Sequence, residues 1–295
     1  MKKIVLFIIL SLFLSVSIKA QDKDIHKLYE NRDYIQLSHM DIEKLDINQL
    51  PTPLLRAYVY RATACYEKLN SEIEFLEKID SIAQNRDLMA EILLFQAVNY
   101  YKNYQYRQAA ECYKQILDNY GDLLGESTAW FQDIYRRYDA LSEVKPLQVE
   151  ILHNTQVYTK PDKMGKSLVQ VRTLNDSVSL IFDTGATFSA ITKSVAKRLD
   201  IRILADSLIV GGVTANMEFM SIGVADTLYL GDILYKNVVF LVLEDAKLTF
   251  PEYDYSVNGT FGFPEMQILP AIKIYKSGML EIPKNDNDDK CVVPH

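Results

Sequence analysis

Around Val144-Lys145-Pro146 the hydrophobic period of the chain changes from that of a helix to that of a strand, and this change divides the 295 residues into two domains of different class. Upstream, from about residue 24 to 143, apolar and aromatic residues recur every three to four positions, with few glycines or prolines inside the runs. Pro51 and Pro53 mark a break. Helices are expected over 54–69, with Tyr58, Ala62, Cys65 and Leu69 on one side, and over 72–83, 88–103, 106–120 and 127–141. Downstream the apolar residues alternate. Strands are expected over 167–174 and 177–182, joined by a turn at Asn175-Asp176, then over 208–210, 217–222, 227–230, 237–243, 272–275 and 279–282. The fold class is therefore α+β with more than one domain: a stack of helical hairpins, then a mainly β domain.

Both halves are long enough to bury a core, and 48% hydrophobic with 24% charged residues is a globular composition. A net charge of −7 and a pI near 5.2, with no Lys/Arg-rich run, give no general attraction for nucleic acid. The first twenty residues carry two lysines, an apolar stretch from Ile4 to about Leu14 and a polar segment ending at Ala20. That is the layout of a secretory signal cleaved after Ala20, and the apolar run is short against the roughly 20 residues that a membrane span needs. A secreted or periplasmic protein with no stable membrane anchor after cleavage is expected.

Three cysteines, Cys65, Cys112 and Cys291, are too few for a disulfide scaffold. A single Cys65–Cys112 bridge and plain packing of both side chains on buried helix faces are both compatible with the spacing. The four histidines, His26, His39, His153 and His295, are scattered, and neither a metal site nor a cofactor is expected.

Within the helical half, Leu93, Ala97, Tyr100, Ala109 and Tyr113 combine small residues, which let two helices approach, with larger ones that fill the groove between them. Over one unit the stretch AVNYYKNYQYRQAAECYKQIL resembles a tetratricopeptide repeat, with degenerate neighbours stacked on it. Any antiparallel helical hairpin with an aromatic-rich core offers the same spacing. The tyrosines here, among them Tyr58, Tyr60, Tyr66, Tyr100, Tyr101, Tyr104, Tyr106 and Tyr113, fit either a peptide-binding groove or half-buried core edges with surface hydroxyls.

In the β half, the apolar strand Leu180-Ile181-Phe182 runs straight into Asp183-Thr184-Gly185-Ala186-Thr187. A buried strand thus delivers a carboxylate to a tight turn, where Gly185 lets the backbone pass close to a partner. Three further features stand behind it in order: a strand and short helix over 189–199, a glycine-containing hairpin around Val210, Gly211, Gly212 and Val213, and the element Thr260-Phe261-Gly262. Together these resemble the retropepsin-like aspartic protease family over residues 165 to 283. This sequence departs from the family's pattern at Thr260, where an aliphatic residue is usual, and at Phe263-Pro264, where an aliphatic residue and Asp are commoner.

The resemblance implies hydrolysis of peptide bonds by two carboxylates that share one proton, since like charges about 3 Å apart cannot both ionise. Only Asp183 is a credible member. Asp226-Thr227 is followed by Leu228 and reads as a surface turn. A homodimer pairing Asp183 from each chain is therefore implied. Thr184, Gly185 and Ala186 would support the turn, Val210 to Val213 would form a flap over a peptide or protein substrate, and Thr260, Phe261 and Gly262 would lie under the site. The expected domains are a signal over 1–20, a tetratricopeptide-like domain over 21–145, an all-β protease domain over 146–283 and a charged tail over 284–295. A non-catalytic scaffold that binds peptide or protein through the repeats and a retained protease fold is the alternative.

Overall fold

Two helices in the N-terminal half begin where a side chain takes up an N–H group that a first turn leaves unpaired. In the computed structural model, which describes residues 25, 27, 28, 30–40, 58, 59, 61, 62, 69–80, 85–211 and 217–285, the continuous helices there are α1 Tyr34–Ser38, α2 Leu69–Asp80, α3 Arg86–Lys102, α4 Tyr106–Leu124 and α5 Thr128–Leu141. Asp33 accepts from Gln36 N at 3.1 Å to start α1, and Asn85 accepts from Leu88 N at 3.0 Å to start α3. The α3–α4 connection is only Asn103, Tyr104 and Gln105, with Tyr104 at φ 59°, and it folds the two helices into a hairpin. Ala97, Ala109 and Ala110 are buried on this hairpin, as are Leu93 and Tyr113. Small side chains at such positions allow the helix axes to approach.

Of the five helices expected from the periodicity, the last four recur with shifted ends. Helix α2 starts before Glu72, and α4 runs past Tyr120 to Leu124 with a kink at Tyr120, where φ is −131°. In the expected 54–69 segment Tyr58, Val59, Arg61 and Ala62 are helical and Leu69 begins α2, while the other residues, including Cys65, lie outside the described residues. Tyr58, Tyr106 and Tyr113 are buried and Tyr100, Tyr101 and Tyr104 half-buried, the distribution of core edges. The Tyr100 hydroxyl donates to Glu77 of α2 at 3.0 Å, and burial followed by that carboxylate raises its pKa above the ordinary tyrosine value. One cluster, with Tyr58, Ala62, Phe75, Leu76, Ile79, Leu88 and Ile92 at its centre, forms the core. Beside it Arg61 and Glu72 are buried as a pair at 2.7 Å, and Arg61 Nε donates to Met40 O at 2.9 Å.

The chain divides into two compact units, residues 1–135 and 136–295. The division falls inside α5, upstream of the segment where the hydrophobic period changes. The second unit contains β1 Gln148–Glu150, β2 Thr155–Tyr158, β3 Lys160–Pro161, β4 Ser167–Arg172, β5 Ser177–Phe182, β6 Ser189–Thr192, α6 Lys193–Arg198, β7 Arg202–Gly211, β8 Met217–Leu230, β9 Ile233–Leu243, β10 Thr249–Phe250, β11 Tyr255–Ser256, β12 Gly259–Phe261, α7 Phe263–Gln267, β13 Lys273–Ile274 and β14 Met279–Ile282. Strands β9, β6, β12, β5, β4 and β8 are hydrogen-bonded in that order, and β8 pairs back onto β9 to close a barrel. Closure leaves no open edge within that ring. Alternation places Val169 and Val171 of β4 inside, with Gln170 and Arg172 outside. Val178, Leu180, Ile191, Ile222, Val224, Leu228 and Phe240 are buried with them.

One expectation is corrected here. Residues 217–230 form the single strand β8, so Asp226 is a strand residue, exposed and 3.3 Å from Arg202, and not a turn residue. The glycine that suggests an interruption, Gly223, pairs with Phe240 of β9 instead. A Cβ there would lie 2.6 Å from Ile201 Cγ2, so this glycine marks close packing within a strand.

Candidate active site

The position of the Asp183 turn follows from where β12 enters the barrel. Strand β12 lies between β5 and β6, parallel to the first (Thr260 opposite Ile181, Phe261 opposite Phe182) and antiparallel to the second (Gly259 opposite Ile191, Thr260 opposite Ala190). Residues 183–188, which join β5 to β6, therefore cross over the end of β12. Two residues fix its entry. The Asn258 side-chain amide donates to Ser179 O at 3.2 Å, while the Asn258 backbone carbonyl accepts from Thr192 N at 3.0 Å. Gly259 follows at φ 149°, and a Cβ there would lie 2.0 Å from Ala190 O.

Four hydrogen bonds shape the turn. Asp183 N donates to Phe261 O at 3.0 Å, Ala186 N to Asp183 O at 3.3 Å and Phe263 N to Ala186 O at 2.9 Å. The fourth holds the carboxylate: Gly185 N donates to Asp183 Oδ1 at 2.9 Å. Asp183 and Ala186 are half-buried, whereas Thr184 and Gly185 are exposed. The result is a carboxylate oriented by the backbone yet open to a reactant, an arrangement suited to accepting a proton from water. Further along, the ring of Phe188 lies 5.7 Å below the guanidinium of buried Arg137.

Beneath the turn, Phe261 is fully buried and packs edge-on against Tyr235, with ring centroids 5.9 Å apart. Thr260 is half-buried between its two partner strands. Gly262 caps α7 and has no room for a side chain, because a Cβ would meet Phe188 C and O at 2.9 Å and Ala186 O at 3.0 Å. Its N–H donates to Ser189 Oγ at 2.8 Å, and the Ser189 hydroxyl donates to Glu265 Oε2 at 2.5 Å. Burial pushes the Glu265 carboxyl up to about 7, against the lowering effect of the Ser189 hydroxyl and of the Glu265 and Gly262 backbone N–H groups. Pro264 sits in the first turn of α7, where its missing N–H leaves no helical bond unmade.

The hairpin expected to act as a flap is β7–β8, in which Val210 pairs with Glu218 and Gly211 with Met217. Gly212 and Val213 lie outside the described residues. Among the described residues no three His, Cys, Asp or Glu side chains gather as metal ligands. Sequence reasoning overlooked Asn258, Gly259, Ser189 and Glu265. The one local signal for Glu265 is its place three residues after the N-cap, behind a proline, as in a capping box.

A family model described as aspartyl protease matches residues 169–263, from β4 through the Asp183 turn, the β7–β8 hairpin and β12 to the start of α7. Among solved structures, this chain is similar to a retropepsin-like aspartic protease from Rickettsia conorii, at 17% identity with a TM-score of 0.31, over 47% of this chain and 94% of that one. No curated protein matches the chain. The matched segment contains Asp183, Thr184, Gly185, Ala186, Thr260, Phe261 and Gly262.

Proposed function

We propose that the chain is an aspartic endopeptidase, hydrolysing peptide bonds with water activated by two Asp183 carboxylates, one from each of two chains. The observation that carries this reading is the Asp183 carboxylate, held by Gly185 N at 2.9 Å on a turn that stays open to solvent, within the segment that matches an aspartyl protease. One such carboxylate per chain supplies half of a dyad. In the assembled site one Asp183 removes a proton from water while the other, protonated, polarises the scissile carbonyl. Attack gives a tetrahedral diol; the C–N bond then breaks as the amine takes a proton from the dyad. The dyad titrates as a pair. Carboxylates and water suffice for this reaction without a cofactor.

Thr184 would reach across the two-fold axis, and Val210 to Val213 would close over an extended peptide that pairs with the hairpin as an added strand. The helical half, with its tetratricopeptide-like stretch, would recruit substrate or guide dimerisation. Residues 1–20 would act as a secretory signal, so that hydrolysis takes place outside the cytoplasm.

The test combines the mass of the mature chain in solution with cleavage of a mixed peptide library across pH, for the wild type and Asp183→Asn. A dimer whose cleavage is abolished by the substitution is expected. Activity that survives Asp183→Asn, or that belongs to a strict monomer, overturns the mechanism, and a dimer with no cleavage at any pH favours a peptide-binding module.

A further inference from the structure

A carboxylate is a costly group to bury, and an apolar side chain at position 265, such as that of the neighbouring buried Met266, would fill the space at less cost. Glu265 is nonetheless almost completely buried, as is Ser189, and both lie directly under the turn that carries Asp183. We propose that Glu265 is a positioning residue for the catalytic turn: its carboxylate orients the Ser189 hydroxyl, which holds Gly262 against the loop over residues 186–188.

The chain of contacts runs in one direction. A serine hydroxyl has one hydrogen and two lone pairs. With the hydrogen committed to Glu265 Oε2, a lone pair faces Gly262 N, which donates at 2.8 Å. Gly262 lies close against the loop, since a Cβ there would already meet Phe188 C and O at 2.9 Å and Ala186 O at 3.0 Å. Without the Ser189 bond it can move away. The two residues flanking Gly262 make the bonds that set the turn, Phe261 O to Asp183 N at 3.0 Å and Phe263 N to Ala186 O at 2.9 Å. A displacement of Gly262 therefore reaches the backbone of Asp183 on one side and of Ala186 on the other. Glu265 also supports its own helix. It occupies the third position of α7 after the N-cap Gly262, from which a glutamate reaches back to the N-cap N–H. Because the N-cap is a glycine with no room for a side chain, the hydroxyl comes from Ser189 of β6.

The kinetic part of the test rests on the peptidase reading; the exchange part does not. Amide hydrogen exchange is measured by NMR at Gly185, Ala186 and Gly262, with Val169 and Leu180 as core references, in the wild type, Glu265→Ala, Glu265→Gln and Ser189→Ala. In Glu265→Ala and Ser189→Ala the three turn amides are expected to exchange faster by about tenfold or more, as suits loss of a hydrogen bond to a charged group, with a smaller change at the references. Glutamine keeps an oxygen that accepts from Ser189, so Glu265→Gln should stay near the wild type. In cleavage assays Glu265→Ala should lower kcat while leaving KM nearly unchanged, and Gln should restore kcat. Exchange that rises uniformly through the barrel, turn amides that do not respond, or a glutamine variant as impaired as alanine overturns the proposal. Should Glu265→Ala fail to fold, Ser189→Ala decides: it removes the same link and keeps the carboxylate. Cleavage that persists in Asp183→Asn removes the peptidase reading and leaves the exchange result standing.

Discussion

A methyl group at position 262 would meet backbone atoms of Ala186 and Phe188 at 2.9 to 3.0 Å, and backbone yields less readily than the end of a side chain. Gly262→Ala is expected to destabilise the protein by about 1–3 kcal/mol, the usual range for overpacking, and to displace the turn enough to suppress cleavage. Urea denaturation and peptide cleavage check the two effects. A methyl group added at Gly121, inside α4, would find nothing within 4 Å, so Gly121→Ala should stabilise by about 0.5–1 kcal/mol through backbone entropy alone. Glu265 makes a prediction about pH. Its folded-state value of about 7 lies above the ordinary 4.5, so between these limits the folded state binds the proton more tightly than the unfolded state. Its contribution to stability is fully present below about pH 4.5 and is lost as pH rises through about 7. Glu265→Gln lacks this slope, and its urea midpoint relative to the wild type should rise from pH 5 to pH 8; a fall refutes the assignment. Asp183 was legible in the sequence because an apolar strand and a glycine turn frame it. Glu265 was not, because a charged residue after a proline also fits a solvated helix start.

At the scale of elements, two ion pairs of similar length should behave differently. Arg61–Glu72 is buried at 2.7 Å, and Glu72→Ala leaves a buried guanidinium without its carboxylate, at an expected cost of about 3–5 kcal/mol. Arg86–Asp122, at 2.8 Å, is more than half exposed, and Asp122→Ala should leave the unfolding midpoint nearly unchanged. Phe261→Ala empties the space against Tyr235 and should cost about 3–5 kcal/mol. Thermal and urea unfolding distinguish these cases. Helices α2 to α5 were legible because each repeats its apolar period over several turns, and β5 because it is bounded by a turn at one end and Asp183 at the other. The strand β8 was divided wrongly at Gly223, since a glycine that turns the chain and one that admits Ile201 look alike in sequence. Strands of two residues, such as β3 and β10, are too short to establish a period.

For the whole molecule, the unit boundary inside α5 carries a prediction about where the chain can be cut. Residues 136–141 group with the β unit, and Arg137 lies over Phe188 in the loop that follows Asp183. A fragment over 146–285 should therefore unfold at lower urea than one over 136–285, by an amount in keeping with a desolvated cation–π contact of about 2 kcal/mol together with lost packing. Equal midpoints would show that the end of α5 contributes nothing to the barrel.

By itself the sequence determined the two classes of structure, the strand that ends at Asp183, and the order of turn, hairpin and Thr260-Phe261-Gly262 element. All of these depend on local periodicity or on a few neighbouring residues. Only the tertiary structure decided that β12 threads between β5 and β6, that Gly262 is pressed against Phe188 and Ala186, and that Ser189 and Glu265 meet beneath them. Those contacts join residues 73 and 76 positions apart, and they exist because a closed barrel brings distant strands to one end.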